Sequence, residues 1–376
     1  MKTREELIRA FLDEAGWGDA RRAPLAGDAS TRRYERIAGP KGKAVLMDAP
    51  PGPDGPPLVN TPDGVRRAYS AIAHLAEDCR PFVAVGAALK EAGLSAPDLI
   101  AHDVPTGLLL LEDLGDALYG DAIDAGEGPG GVPLDDMYRA GVDALIVWHA
   151  TWAKLGAPSS LPLPNGGSYT LPHYDDAALA IETELLTDWY LPAKRGRETD
   201  EAMRSDYRAL WSELLPVVAK DTRVLAMRDF HSPNMLWLGD REGPARVGLL
   251  DFQDALIGAR AYDLVSFLQD ARRDVPPARE EAMLAYYCAE AAKALPDFDE
   301  SVFRAAYAIL GAQRNSKIIG IFVRLHRRDL KPQYLAHIPR VARYLERDLA
   351  HPALADLRTW LDALAAPADR LVAPGA

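Results

Sequence analysis

Three oxygen-bearing side chains, Asp229, Asn234 and Asp251, have residue types and spacings that suit phosphoryl transfer. Asp229 precedes Asn234 by five positions, and Asp251 follows Asn234 by seventeen positions at the end of an apolar run. Phosphoryl transfer needs a carboxylate that orients the attacking hydroxyl and accepts its proton, and oxygen ligands that hold Mg²⁺ against the phosphates of ATP. Each residue alone also suits a turn or a helix cap. The three together predict a kinase site.

A tight loop and a hairpin are the elements that would bring these side chains together. The loop spans residues 229–234 and is tightened by Pro233. The apolar run MLWL at 235–238 then leaves as a strand, and VGLLD at 247–251 returns antiparallel to it. Such a hairpin places Asp251 beside Asn234 at the mouth of one cleft.

The chain before residue 112 has a mixed pattern, and the chain after residue 130 is mainly helical. Strands are predicted at 32–38, 43–48 and 107–111, with a helix at 81–92, and later helices at about 175–191, 199–219, 260–272, 278–293, 299–326 and 335–348. We therefore predict an α+β protein with a small mixed β/α N-lobe, residues 1–112, which covers the nucleotide. A large, mainly helical C-lobe, residues 113–376, would carry the catalytic loop, the metal site and the substrate pocket.

The composition excludes several classes of function. Asp and Glu total 55 against 43 Lys and Arg, so the net charge of −12 argues against a nucleic-acid partner. Residues 1–20 predict a surface helix rather than a signal peptide, and no apolar run reaches the roughly 18 residues of a membrane span. Cys79 and Cys288 belong to no CxxC pattern, which indicates buried thiols and a cytoplasmic location.

RDFHSPN at 228–234, followed by LLDFQDALIGARAYDL at 249–264, resembles the aminoglycoside phosphotransferase and choline kinase family. Within that group the chain is most similar to the anomeric N-acetylmuramate/N-acetylglucosamine kinases of bacterial cell-wall recycling, notably over 25–37, 79–103 and 313–335. The resemblance implies a bilobal, protein-kinase-like fold. It also implies an enzyme that uses ATP and Mg²⁺ to phosphorylate a small amino sugar. The oligomeric state is left open.

The resemblance also implies roles for individual residues. Asp229 would be the catalytic base, Asn234 and Asp251 the Mg²⁺ ligands, and Asp263 would brace the catalytic loop from behind. The residues implied to bind the nucleotide are the phosphate loop Gly27, Asp28, Ala29, Ser30 and Thr31 and the hinge Glu112, Asp113 and Leu114. Inside the catalytic loop, His231 is predicted to support the loop by hydrogen bonding.

The sequence departs from the usual pattern of this family in three places. Met227-Arg228-Asp229 stands where the catalytic loop usually begins His-Gly-Asp. Met47 stands where a strand lysine normally reaches the ATP phosphates, so we expect Arg32 or Arg33 on the preceding strand to supply that charge. Residues 60–75 resemble an insertion, and the sequence leaves open whether it is a lid or a surface helix.

Substrate contacts are predicted from the basic stretch of the C-lobe. Arg314, Lys317 and Arg324 recur, with Arg328, at spacings that place them roughly on one helix face. A guanidinium fork would suit a lactyl carboxylate such as that of N-acetylmuramate. The alternative is a solvated face or pairing with some of the acidic residues.

Two other functions remain compatible with the sequence. The overall acidity would suit a kinase of aminoglycosides or of choline-like cations on the same scaffold. Met47 in place of the lysine would suit a nucleotide-binding pseudokinase with a regulatory role. Retention of Asp229, Asn234 and Asp251 argues against the pseudokinase, since a protein that only binds nucleotide does not need all three.

Overall fold

A five-stranded antiparallel sheet with flanking helices is formed before residue 113. The computed structural model describes residues 2–25, 32–53, 59–60, 66–218, 220–221 and 223–374. The elements are α1 (Arg4–Glu14), β1 (Arg21–Pro24), β2 (Arg33–Gly39), β3 (Gly42–Asp48), β4 (Val59–Asn60), β5 (Arg66–Arg67), α2 (Tyr69–Ala73), α3 (Arg80–Glu91), β6 (Leu99–Asp103) and β7 (Leu108–Glu112). The strand order in the sheet is β1-β2-β3-β7-β6. The strands predicted at 32–38 and 43–48 are present as β2 and β3, which pair antiparallel as a hairpin.

Strand β7 is apolar throughout because both faces of the sheet are covered. Successive side chains of a strand point to opposite faces. Leu109 and Leu111 accordingly join the main core under α3, whereas Leu108 and Leu110 pack with α1 in a second, smaller core. Helix α1 was predicted as a surface helix, but one of its faces is buried on this sheet through apolar residues that include Phe11.

The rest of the chain is mainly helical. Its elements are α4 (Tyr119–Ala125), α5 (Leu134–Lys154), β8 (Ser160–Pro162), β9 (Ser168–Thr170), α6 (Asp176–Leu185), α7 (Leu191–Arg195), α8 (Glu201–Val218), β10 (Arg223–Ala226), β11 (Met235–Trp237), β12 (Val247–Leu249), β13 (Leu256–Ala259), α9 (Ala261–Leu268), α10 (Pro277–Ala294), α11 (Glu300–Arg327), α12 (Ile338–Asp348), α13 (Ala355–Leu364) and α14 (Pro367–Arg370). The long helix α11 packs against α6, α8, α9 and α12. The division into lobes at residue 112 stays a prediction.

Helix α9 lies at the centre of this helical part. All eight of its residues are buried, including Asp263 and Ser266. Buried polar side chains need hydrogen-bond partners, and those of α9 find them in the catalytic loop described below. In the described part of the chain, no helix combines the length and the apolar character that a membrane crossing requires.

Candidate active site

The loop after β10 and the hairpin of β11 and β12 bring Asp229, Asn234 and Asp251 together. The hairpin pairs Met235 with Leu249, and the backbone N–H of Leu250 donates to the carbonyl of Asn234 over 2.9 Å. The Asn234 Nδ2 donates to the carbonyl of Asp229 at 3.1 Å and to Asp251 Oδ2 at 3.4 Å. The amide oxygen of Asn234 is thereby left over for another ligand. The sequence-predicted juxtaposition of the three residues is present.

Two residues of the site adopt left-handed backbone conformations. Arg228, directly before Asp229, has φ of 72°, and Asp251 has φ of 57°. A residue other than glycine costs roughly 1–3 kcal/mol in such a conformation and keeps it only where its surroundings enforce it. For the catalytic loop the enforcing group is Asp263, whose carboxylate accepts the backbone N–H of Met227 at 2.7 Å and of Arg228 at 2.8 Å. Asp263 therefore lies directly behind the loop.

The electrostatics of the Asp251 carboxylate suit a bound cation. Burial and then the charge of Asp229 raise the pKa of Asp251 to about 6. A divalent ion beside these carboxylates would relieve that repulsion. One carboxylate and one amide oxygen also match the few protein ligands that Mg²⁺ takes, because it fills its octahedron with phosphate oxygens and water. Asn234 and Asp251 thus fit a magnesium site.

Arg32 supplies positive charge next to Asp251. Its Nη1 lies 3.3 Å from Asp251 Oδ1 and its Nη2 lies 3.7 Å from Asp254 Oδ1. Arg33, the next residue, is exposed. Met47 is buried in the apolar core and brings no charge. Of the two arginines predicted for the place of the missing lysine, Arg32 therefore faces the site.

The predicted hinge follows β7 directly. The side chain of Glu112 pairs with Arg241 at 2.6 Å, and that of Asp113 pairs with Arg36 at 2.8 Å. Leu114 follows Asp113 in this stretch. Both carboxylates are thus engaged in ion pairs, and the backbone N–H of Glu112 donates to the carbonyl of Asp98 at 2.8 Å. The predicted phosphate loop, residues 27–31, lies outside the described residues.

A buried ion cluster around Glu182 supports the catalytic loop from the side of α6 and α11. Glu182 is fully buried, and it accepts from Arg228 at 2.5 Å, Lys317 at 2.8 Å, Gln313 at 3.1 Å and the hydroxyl of Tyr174. We call these five residues the Glu182 cluster. Burial alone would raise the pKa of Glu182, but Lys317 and Arg228 lower it to about 2, so the cluster holds a carboxylate anion.

The segment Tyr69–Glu77, named the clasp segment below, joins the N-terminal part of the chain to the catalytic loop. The guanidinium of Arg228 donates to the carbonyl of Ala73 at 2.7 Å, and the N–H of Ala76 donates to Asp254 at 2.7 Å. Its helix α2 is buried and packs against α6, which excludes the alternative of a plain surface helix. Residues 61–65 of the predicted insertion lie outside the described residues.

Three other predicted residues are placed differently from the expectation. His231 was predicted to support the loop by hydrogen bonding, but both of its ring nitrogens are buried without a partner among the described residues. His231 supports the loop through its backbone instead: its N–H donates to the carbonyl of Asp229 at 3.0 Å, and its carbonyl accepts the N–H of Asn234 at 2.9 Å. Arg314 points into the core and donates to the carbonyl of Gln269, and Lys317 belongs to the Glu182 cluster. Arg314 and Lys317 therefore do not form one open face.

The sequence reasoning missed Asp254 and the clasp segment as parts of the site. It considered Glu182 as a contact to sugar hydroxyls or as a surface charge, but the residue is fully buried. A signal for Glu182 was present, because Ala178, Glu182 and Leu185 fall on one buried face of α6 at helical spacing. An acidic residue on an apolar helix face needs a buried cation as its partner. Arg228 was a candidate, because nothing in the sequence explained a positive charge in the catalytic loop. No comparable signal marked the clasp segment, whose contacts to Arg228 and Asp254 are made by its backbone groups.

Two relatives cover nearly the whole chain. The N-acetylmuramate/N-acetylglucosamine kinase of Caulobacter vibrioides is 41% identical over 366 residues, which cover 96% of each chain. The protein of the same name from Pseudomonas aeruginosa is 35% identical over 95% of this chain and 93% of its own length. Similarity of this extent spans the N-terminal sheet, the catalytic loop and the C-terminal helices alike.

Solved structures show the same fold at low sequence identity. Aminoglycoside 2'-phosphotransferase-IIIa in its GDP complex has a TM-score of 0.54 at 13% identity, over 93% of this chain and 99% of its own. A choline/ethanolamine kinase family protein from Mesorhizobium loti has a TM-score of 0.54 at 14% identity, over 96% and 98%. These likenesses confirm the predicted protein-kinase-like fold. Residues 21–305 match the phosphotransferase enzyme family, and the chain belongs to that family.

Proposed function

We propose that this phosphotransferase transfers the γ-phosphate of ATP to the anomeric hydroxyl of N-acetylmuramate or N-acetylglucosamine. The observation that carries the proposal is the return of Asp251 to the side of Asn234 and Asp229. Two relatives at 41% and 35% identity, both N-acetylmuramate/N-acetylglucosamine kinases, support the choice of acceptor. Use of ATP would place the reaction in the cytoplasm, where the two buried free cysteines would stay reduced.

In this proposal the residues of the loop act on the acceptor hydroxyl. Asp229 orients the hydroxyl and accepts its proton as the oxygen attacks the γ-phosphate. Asp263 keeps the loop in its strained conformation through Met227 and Arg228, so the carboxylate of Asp229 stays in place. When bound on Asn234 and Asp251, Mg²⁺ would neutralise the charge that develops on the phosphates. The backbone of the hinge, 112–114, would bind adenine, and residues 27–31 would cover the phosphates.

The substrate assignment is tested by ADP release in a coupled assay with a panel of acceptors. We expect turnover with N-acetylmuramate and N-acetylglucosamine, loss of turnover when EDTA removes the metal, and recovery when Mg²⁺ is restored. Turnover only on kanamycin or choline would contradict the sugar assignment. Nucleotide binding without ADP release on any acceptor would support the pseudokinase instead.

Replacing Arg32 with Ala is expected to lower kcat/KM for ATP by about 10- to 150-fold, the usual contribution of a charge-assisted hydrogen bond to a phosphate. The reason is that Arg32 brings positive charge to Asp251, where Met47 brings none. Most of the change in kcat/KM should appear as a higher KM for ATP, measured at saturating sugar. The exposed neighbour Arg33 provides the control, and Arg33→Ala should stay within about twofold of the unmodified enzyme. An equal loss in both variants would refute the assignment.

A further inference from the structure

The cationic side chains on helix α11 differ in what they contact. Arg314 donates to the carbonyl of Gln269, and Lys317 pairs with Glu182. Arg328, near the end of the helix, pairs with Asp329 at 2.7 Å on the surface. Arg324, unlike these three, has neither a hydrogen-bond partner nor an ion-pair partner among the described residues. It therefore differs from its neighbours on the helix.

The surroundings of Arg324 exclude water from its Nε without supplying a hydrogen-bond acceptor. The side chain is partly buried, and its Nε is fully buried without a partner in the described part of the chain. Its guanidinium lies 5.8 Å from the centroid of the Tyr69 ring. Burial lowers the pKa of Arg324, which is the direction expected for a cation that lacks a compensating anion. The guanidinium is therefore short of hydrogen-bond acceptors, which an anionic ligand would supply.

Arg324 is connected to the catalytic loop through Tyr69. It lies two helical turns, about 10 Å along the axis of α11, from Lys317, whose partner Glu182 also binds Arg228. Tyr69, under the guanidinium, belongs to the clasp segment, which binds Arg228 through Ala73. Arg228 directly precedes the proposed base, Asp229. Arg324 is therefore coupled, through Tyr69 and the clasp segment, to the residue before the proposed base.

We propose that Arg324, held on the ring of Tyr69, recognises the lactyl carboxylate of N-acetylmuramate and so determines the preference between the two sugars. The inference rests on the proposed function, and it identifies the residue that distinguishes the two acceptor sugars. N-acetylmuramate differs from N-acetylglucosamine by its lactyl ether, which bears the carboxylate. A guanidinium that is already partly buried and held on an aromatic ring loses little entropy when it binds that group. Arg314 and Lys317 are assigned to the support of the fold.

The test compares kcat/KM for the two sugars in the unmodified enzyme and in Arg324→Gln, which keeps much of the side chain over Tyr69. We expect kcat/KM for N-acetylmuramate to fall about 10- to 150-fold, the usual value of one charge-assisted hydrogen bond. The value for N-acetylglucosamine should stay within about twofold. Arg324→Lys, which keeps the charge without the fork, should recover part of the preference. Arg328→Ala, one turn further along the helix, is the matched control and should change neither value.

Each outcome decides between the two proposals. A fall of equal size for both sugars in Arg324→Gln, or no fall for either, overturns the assignment of Arg324 and leaves the proposed kinase activity intact. If the unmodified enzyme phosphorylates neither sugar, the proposed function fails and the inference fails with it. Thermal unfolding of each variant shows whether a loss reflects the fold, and Arg324→Lys keeps the test valid if the glutamine variant is unstable.

Discussion

Asp229→Asn lowers kcat by about 10²–10⁴-fold, the usual contribution of a general base, and leaves KM for ATP nearly unchanged. The substitution keeps the size of the side chain and removes only its ability to accept the proton of the sugar hydroxyl. The backbone contacts of the loop persist, because Asp263 binds the N–H groups of Met227 and Arg228 rather than the side chain of Asp229. ADP release at saturating N-acetylmuramate and ATP measures the effect.

The control for this variant is Asp240→Asn. Asp240 is exposed in the turn of the β11–β12 hairpin and has the same chemistry without access to the acceptor. Its turnover should equal that of the unmodified enzyme. Near-full activity of Asp229→Asn, with unchanged thermal unfolding, would rule out Asp229 as the base.

Glu182→Ala is expected to lower the free energy of unfolding by about 3–5 kcal/mol, the cost of leaving a buried charge without its partner. The variant would leave two buried cations, Arg228 and Lys317, facing one another without the carboxylate that both contact. The effect should reach catalysis as well, since Arg228 directly precedes Asp229. Urea unfolding followed by circular dichroism gives the free energy.

Glu184→Ala is the matched control for Glu182, because both residues lie on α6. Glu184 pairs with Arg208 at the surface, where both side chains keep contact with water. Exposed ion pairs contribute about 0–1 kcal/mol, so this variant should lose little stability. Comparable losses in the two variants would mean that the Glu182 cluster contributes no more than a surface pair.

The sequence was sufficient to predict the structure where the pattern of neighbouring residues determines it. The hairpin from Asn234 to Asp251 follows from two apolar runs and the polar turn between them, and strand pairing in such a unit depends on neighbouring residues. The long helix α11 (Glu300–Arg327) follows from its length and helical spacing. For the same reason the juxtaposition of Asp229, Asn234 and Asp251 could be predicted before the fold was known.

The sequence was insufficient where contacts join distant parts of the chain. Nothing local indicates that the guanidinium of Arg228 reaches both Glu182 and the carbonyl of Ala73, residues that lie 46 and 155 positions away. Strands β10 and β13, which pair Ala226 with Leu256, were not predicted, because they are not neighbours along the chain and no hairpin turn joins them. Helical spacing placed Arg314 and Lys317 on one face, but periodicity does not tell whether that face meets solvent or another helix.

The Glu182 cluster restricts how this protein can evolve. A change of Glu182, Arg228 or Lys317 alone leaves an unbalanced buried charge, so a lineage has to replace several of them together or pass through a poorly stable ancestor. Homologues that carry glycine before the catalytic aspartate, as in His-Gly-Asp, bring no guanidinium to that position. In those sequences the residue equivalent to Glu182 has no arginine to neutralise. The positions equivalent to Glu182 and Arg228 should therefore covary in an alignment of homologues.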